Sequence, residues 1–125
     1  MENSGRRYNE SKPKWSLIDF ESLEPLVRVM EYGMHKYTIY VDDVGDTCKG
    51  SEITLEDVKN LDLKVLSSGK ENWKNGLDKT EILESLQRHL IKLFAGEKFD
   101  LESGLPHIGH LLANAVFYSY YSKND

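Results

Sequence analysis

The sequence contains a single cysteine, Cys48, so no disulfide can form within the chain. None is needed, because a domain of 125 residues buries roughly two-thirds of its unfolded surface and can form an ordinary hydrophobic core. Acidic residues near Cys48 disfavour its thiolate form, which makes it a poor candidate for a nucleophile. The scarcity of cysteine favours a reducing compartment.

Long apolar runs are also missing, since no segment approaches the roughly 20 residues that cross a bilayer. The polar residues at the start of the sequence lack the apolar centre of a secretory signal. We therefore expect a cytoplasmic protein without a membrane partner.

Positive charge is in the minority, and the formal net charge is −5. An acidic chain lacks the basic surface that binds a nucleic-acid polymer, so neither DNA nor RNA is an expected partner. Acidity does not exclude a nucleotide, because Mg²⁺ can bridge carboxylates and phosphates. The sequence also lacks a P-loop, a C-x-x-C pair and a dinucleotide fingerprint.

The hydrophobic pattern predicts a fold that is mainly all-α, a small helical bundle forming one domain over residues 1–125. Residues 1–18 are expected to form an extended N-terminal arm. The predicted helices run from an N-cap at Ser22 to a weak point or end at Gly33, from an Asp78 cap to a stop at Gly96, and from a Ser103 cap to about Tyr121.

Residues 38–70 differ in character from the rest of the chain. The β-branched and aromatic run at 38–41 predicts a short strand, and 42–50 is typical of a loop. For residues 54–66 a helical and a strand interpretation compete, with the helix preferred. We therefore expect this segment to be partly β.

Two histidines on the last predicted helix, His107 and His110, share one face with Asn114 and Tyr121. Helical bundles use such i, i+3 spacing to project metal ligands inward. Three carboxylates, Glu97, Asp100 and Glu102, lie just ahead of this helix, and the preceding helix carries four polar side chains, Glu81, Glu84, Arg88 and His89. If the two helices pack antiparallel, these polar faces meet and can form a metal site.

Each of these residues also has a purely structural interpretation. Glu81 fits the third position of a capping box, and Glu84 with Arg88 fits a surface ion pair. Glu97 and Asp100 fit solvated loop acids, and histidines on a helix are often structural. The spacing alone leaves both interpretations open.

A set of short motifs follows the chain in a characteristic order: Arg7-Tyr8-Asn9, Lys12-Pro13-Lys14, Gly33, Lys36-Tyr37, Asn72-Trp73, Gly76, Arg88-His89-Leu90, Gly96-Glu97, Asp100, Glu102-Ser103-Gly104-Leu105, His107, His110 and Asn114-Ala115. In this order the motifs resemble the phage-type dATP/dGTP diphosphohydrolase family, which is grouped with the MazG-like all-α nucleotide pyrophosphatases. The resemblance covers most of the chain outside residues 38–70.

The resemblance implies a MazG-like bundle that hydrolyses purine deoxynucleoside triphosphates to the monophosphate and pyrophosphate, requires Mg²⁺ or Mn²⁺, and assembles as a homo-oligomer. Carried over residue by residue, it implies a metal shell of Glu97, Asp100, Glu102, His107 and His110, with Glu84 and Glu102 as catalytic residues. It implies nucleotide binding by Lys36, Tyr37, Asn72, Trp73, Arg88, His89 and Asn114.

Two departures from the family pattern lead to an alternative. Histidines at positions 107 and 110 stand where MazG-like relatives carry a carboxylate pair, and residues 38–70 are an insertion between two pocket motifs. The insertion is expected to cover the pocket as a lid, to alter which ligand binds, or to serve oligomerisation. The alternative function is binding and sequestration of a nucleotide or cyclic-nucleotide immune signal without hydrolysis.

Overall fold

A computed structural model describes residues 11–125, so the first ten residues of the predicted arm, including the Arg7-Tyr8-Asn9 motif, lie outside it. The helices and strands are α1 (Glu24–Lys36), β1 (Ile39–Val41), β2 (Thr47–Lys49), α2 (Leu55–Asn60), β3 (Lys64–Ser67), α3 (Lys79–Phe94) and α4 (His107–Tyr121). Short 3₁₀ turns lie at Trp15–Leu17, Phe20–Leu23, Gly50–Glu52 and Asn72–Lys74. The prediction of a mainly helical chain is therefore confirmed over the described residues.

Helix α4 is the central element because it packs against both α1 and α3. The buried apolar side chains come from these three helices and from β1: Val29, Tyr40, Ile82 and Ala113. Helices α1 and α3 face each other across a cavity whose floor is α4. The core is small because this cavity occupies the space where the two outer helices would otherwise meet.

The crossing of α1 over α4 requires a glycine. A Cβ on Gly109 would lie 2.4 Å from the carbonyl oxygen of Pro25 and 2.9 Å from a methyl group of Val29. The Pro25 backbone cannot give way cheaply, so α1 can approach α4 this closely only when position 109 has no side chain.

The ends of α1 differ from the prediction. Pro25 lies in the first turn as expected, but the Ser22 hydroxyl bonds the Asp19 carboxylate at 2.5 Å and does not cap the helix. The helix also passes through Gly33 and continues to Lys36. The predicted Ser22 cap is therefore wrong, and so is an end at Gly33. The helix continues past Gly33 because contacts beyond it hold its last turn in place, which outweighs the modest cost of a glycine within it.

The predicted start of α3 is confirmed, since the Asp78 side chain accepts a hydrogen bond from the Thr80 N–H. Its predicted stop is also confirmed, because Gly96 adopts a left-handed φ of +83° just after the C-cap. The predicted Ser103 cap is wrong: α4 begins at His107. Residues 99–106 fold back on themselves instead, with the Asp100 N–H bonded to the Leu105 carbonyl.

The segment 38–70 forms a small antiparallel sheet with strand order β2-β1-β3. The strand predicted at 38–41 is confirmed by β1, whereas part of the region expected to be loop forms β2. The helix predicted over 54–66 is correct only to Asn60. Asp62 then takes a positive φ of +49°, and the chain turns into β3, which pairs with β1.

This sheet is anchored to the C-terminal end of α1 through the buried residue Thr38. The Thr38 hydroxyl donates to the Met34 carbonyl at 2.6 Å and accepts from the Gly69 N–H at 2.9 Å. The Thr38 carbonyl accepts from the Gly50 N–H at 2.8 Å. One threonine therefore ties together the start, the middle and the end of the segment.

His35 makes a second anchor on the same turn of α1. Its Nε2 lies 2.9 Å from the Ile53 carbonyl, which can only accept, so Nε2 carries the proton. Its Nδ1 then accepts from the Tyr40 hydroxyl at 2.8 Å. The segment is thus fixed to the helix that carries Lys36 and Tyr37.

No helix in the described part of the chain has both the length and the apolar character needed to cross a membrane.

A glycine pair tests the helix crossing. Gly109→Ala is expected to destabilise the fold by about 1–3 kcal/mol, because the new methyl group overlaps the α1 backbone. Gly33→Ala, also within a helix, meets nothing within 4 Å and is expected to stabilise by about 0.5–1 kcal/mol. Urea unfolding of both variants measures the difference, and equal stabilities would contradict the assigned crossing.

Candidate functional site

The cavity between α1 and α3 has a volume of about 670 Å³, within the range of small-molecule sites. Its walls are α1, α3 and the connection at residues 69–77, and its floor is the first half of α4. The turn at 100–103 closes one end. One end of the cavity is polar and charged, and the other is lined by aromatic and aliphatic side chains.

Three imidazoles meet at the polar end. His89 of α3 and His107 of α4 approach through their Nδ1 atoms at 2.8 Å. The His110 ring stacks on that of His89, with centroids 4.6 Å apart and an angle of 7°. This contact exists because α3 and α4 pack antiparallel, which places the end of one helix beside the start of the other.

His107 is only 2% exposed and is oriented by Glu97. Its Nε2 lies 2.6 Å from a Glu97 carboxylate oxygen, which accepts a hydrogen bond from the N–H of that nitrogen. The Nδ1 lone pair of the neutral ring must then face His89. Glu97 thus fixes the tautomer of His107, as carboxylates do for metal-binding histidines.

The turn before α4 fixes His110. The Asp100 carboxylate accepts from the Ser103 N–H at 2.9 Å, and the Ser103 hydroxyl lies 2.7 Å from His110 Nε2. A second Asp100–His110 approach, at 3.7 Å, adds an electrostatic contact. Ser103, which the sequence suggested as a helix cap, therefore links Asp100 to His110 at the polar end of the cavity.

Burial and neighbouring imidazoles shift the ionisation of this cluster. The pKa of His89 is lowered by burial first and then by the charges of His110 and His107. Burial also lowers the pKa of His110 against the opposing pull of Asp100. Burial alone would raise the pKa of Asp100, but its hydrogen bonds from Ser103 outweigh that effect and the pKa is lowered. Neutral imidazoles and an ionised carboxylate are the forms that bind metals.

A metal-sized arrangement of donors exists within this cluster. His89, Asp100 and His107 each offer one ligand atom, and these atoms lie within 4.8 Å of one another. Two imidazoles with one carboxylate suit Mn²⁺, Fe²⁺ or Zn²⁺ as well as Mg²⁺. Glu97, Glu102 and His110, also expected in the metal shell, contact His107, Lys36 and Ser103 respectively.

Basic side chains surround the polar end. Lys36 at the end of α1 lies 3.9 Å from the exposed carboxylate of Glu102. Arg88 and Lys92 of α3 line the opposite side, and Lys70 lines the connection after β3. The combination of cations and carboxylates suits an anionic ligand that is bound together with a metal ion.

The apolar end is built around Trp73. Its ring stacks on Phe117 with centroids 5.0 Å apart and meets the edge of Tyr120 at the same distance. The Tyr121 hydroxyl donates to the Trp73 carbonyl at 2.6 Å and accepts from the Gly76 N–H at 2.9 Å. Helix α4 therefore holds the Asn72-Trp73 motif against the cavity.

Asn114 lies on the cavity floor between the two ends. Its Nδ2 donates to the His110 carbonyl at 2.9 Å and to the Ser85 hydroxyl at 3.1 Å. Because a carbonyl can only accept, the amide orientation is determined. Its oxygen is left to accept a hydrogen bond from a ligand.

The structure brings most of the predicted site residues to this cavity. Its lining includes Lys36, Tyr37, Asn72, Trp73, Arg88, His89, Asp100, Glu102, His107, His110 and Asn114. Glu97 contacts the cluster through His107 without lining the cavity. Glu84 is exposed on α3 and does not belong to the lining.

Sequence reasoning missed Ser85, Lys92 and Lys70. Ser85 and Lys92 share a helix face with His89 on α3, and the helical periodicity of the sequence therefore predicts their position. Lys70 has no such signal, because its position depends on how the segment 38–70 folds back.

The chain forms a mainly helical domain whose histidine-rich cavity, lined by lysine and arginine side chains, has the size and charge that suit a small anionic ligand. The sequence model of the family described as dATP/dGTP diphosphohydrolase, N-terminal, matches residues 2–125, and the chain belongs to that family. Comparisons with curated proteins and with solved structures found no match.

The lowered histidine pKa values predict how stability depends on pH. The unfolded chain, with a histidine pKa near 6.5, binds more protons than the folded protein just below that pH, so stability falls as the pH falls. The Tm of metal-free protein should decrease between about pH 7.5 and pH 5.5. Asp100 does not contribute in this window, because its pKa is lowered from an already acidic value.

The double variant His89→Gln, His110→Gln should show a smaller decrease in Tm over the same pH range. Differential scanning calorimetry in the presence of a chelator measures both proteins. The same pH dependence in both would show that other groups are responsible.

Proposed function

We propose that the protein hydrolyses purine deoxynucleoside triphosphates, dATP and dGTP, at the α–β bond to give the monophosphate and pyrophosphate. The observation that carries this proposal is one cavity that joins an imidazole–carboxylate cluster to an aromatic end. A triphosphate and a base need these two environments at opposite ends of one site. Membership of the family supports the same substrate class.

A divalent cation fits the residues at the polar end, since the donors of His89, Asp100 and His107 are close enough to share one ion. We propose Mg²⁺ or Mn²⁺, and the two imidazole ligands favour Mn²⁺ over Mg²⁺. When bound, such an ion neutralises phosphate charge and lowers the pKa of a nearby water. Glu97 would then keep His107 in the tautomer whose Nδ1 can ligate.

The chain's own side chains would bind the phosphates and move the proton. Lys36 of α1 and Arg88 of α3 both line the cavity and would neutralise phosphate oxygens. The Glu102 carboxylate is exposed to the cavity and is the proposed base that accepts a proton from the attacking water. The catalytic role predicted for Glu84 stays a prediction.

The aromatic end would bind the base and sugar. Trp73, backed by Phe117, offers a flat surface on which a purine can stack. Tyr37 and Asn72 also line the cavity, and the Asn114 oxygen can accept from an amino or hydroxyl group. A bicyclic purine covers more of such a surface than a pyrimidine does, which supports purine preference.

We also propose a MazG-like bundle that assembles as a homo-oligomer in the cytoplasm. Apolar side chains are exposed on the side of the α3–α4 hairpin opposite the cavity: Leu83, Leu90, Phe94, Ile108 and Val116. Phe94 is 85% exposed. A second copy of the chain packed on this face would bury it, as the hydrophobic effect favours.

Hydrolysis is tested by incubating the protein with each of the four deoxynucleoside triphosphates and Mg²⁺ or Mn²⁺, with products separated by anion-exchange chromatography. We expect pyrophosphate and monophosphate from dATP and dGTP. Asp100→Asn should lower kcat/KM at least about 100-fold, because it removes a charged metal ligand. Asp62→Asn, on the exposed turn before β3, is the matched control and should retain full activity.

The proposal fails if no triphosphate is cleaved, or if Asp100→Asn and Asp62→Asn are equally active. Tight, metal-independent binding with the nucleotide recovered intact would support the alternative function of sequestration.

Assembly is tested by analytical ultracentrifugation at about 50 μM protein. We expect a species of at least twice the 14.4 kDa chain mass. The double variant Leu90→Glu, Phe94→Glu should sediment as a monomer, since charges on the buried face oppose association. Leu55→Glu, at an exposed apolar position on α2, should not change the assembly, and a monomeric wild-type protein would refute the proposal.

A further inference from the structure

The inserted segment 38–70 contributes two residues to the lining of the cavity, Gly69 and Lys70. The body of the segment, with its sheet and α2, lies outside the lining, so the segment does not act as a lid in this structure. Its effect on the site must therefore come through its last two residues or through its anchoring of α1.

The backbone at Gly69 is held tightly against α1. The Gly69 N–H donates to the Thr38 hydroxyl at 2.9 Å, and a Cβ at this position would lie 2.5 Å from the Met34 carbonyl oxygen and 2.5 Å from the Tyr37 carbonyl carbon. The next residue, Lys70, is therefore fixed beside the end of α1. That end of the helix also carries Lys36.

Lys70 differs from the other lysines that line the cavity. Lys36 lies 3.9 Å from Glu102, and Lys92 lies 4.0 Å from Glu97. Within residues 11–125 no carboxylate oxygen lies within 4.0 Å of the Lys70 ammonium group. Its side chain is exposed, so its charge is available to a ligand.

We propose that Lys70 is a phosphate-binding residue added to the site by the inserted segment. This inference rests on the proposed nucleotide function and names a contact for its phosphate chain. A lysine ammonium is a compact charge on a flexible stem, suited to phosphate oxygens at the rim of a site. The anchoring of Gly69 limits how far the lysine can move from the cavity.

The test is the affinity for the α,β-methylene analogue of dATP, which cannot be cleaved at the α–β bond, measured by equilibrium dialysis with Mn²⁺. Lys70→Gln should raise the Kd about 5- to 10-fold at low salt, in line with one charge-assisted contact at a partly exposed site. Lys70→Arg should keep most of the affinity. The difference between wild type and Lys70→Gln should shrink in high salt, because exposed charges are screened.

Inorganic tripolyphosphate provides a second readout without a base. Its inhibition constant, obtained by displacing the analogue, should rise in Lys70→Gln by about the same factor as the Kd of the analogue, because the lost contact is to phosphate. Lys64→Gln is the matched control: it removes a lysine from the same segment, on β3 and outside the cavity, and should bind like wild type.

The outcomes separate this inference from the function it rests on. If wild-type protein does not bind the analogue, the proposed nucleotide function and this contact are both refuted. If wild type binds but Lys70→Gln has unchanged affinity, or Lys64→Gln loses as much, only the role of Lys70 is refuted. Thermal unfolding of each variant should match wild type within about 1 °C, since an exposed lysine contributes little to stability.

Discussion

The site depends on one buried histidine that must satisfy both of its ring nitrogens. His107 is almost fully removed from water, so an unpaired nitrogen there would cost stability. Glu97 accepts from one nitrogen and His89 lies against the other, which ties the end of α3, the turn after it and the start of α4 to a single point. These two hydrogen bonds of the His107 ring fix the position of the polar cluster.

The cavity follows from a second constraint, the crossing of α1 over α4 at Gly109. Helix α1 packs closely on α4 there and has little contact with α3, and the space between the outer helices stays open. The Asn72-Trp73 connection then lies along this opening, held by the Tyr121 hydroxyl. A small core and a large cavity are thus two consequences of the same packing.

The segment 38–70 adds to this arrangement without changing it. It is anchored at His35 and Thr38, on the turn of α1 just before and after Lys36-Tyr37, and it returns to the chain at Gly69. An insertion whose two ends meet at one place can vary in length while the residues around it keep their positions. Its influence on the ligand is therefore expected to come from its ends.

The three long helices, the first strand and the family could be predicted from the sequence, and most of the predicted site residues do line the cavity, because periodicity, caps and ordered motifs are local properties. The sequence placed His107 and His110 on one face, but it could not show that Glu97 orients His107, that Ser103 serves His110, or that Glu84 stays outside. It also misjudged Ser103 and residues 61–66, where local propensity was overridden by pairing with Asp100 and with β1. Which polar groups share a hydrogen bond and which face water follows from the tertiary fold alone, because these contacts depend on distances between residues far apart in the chain.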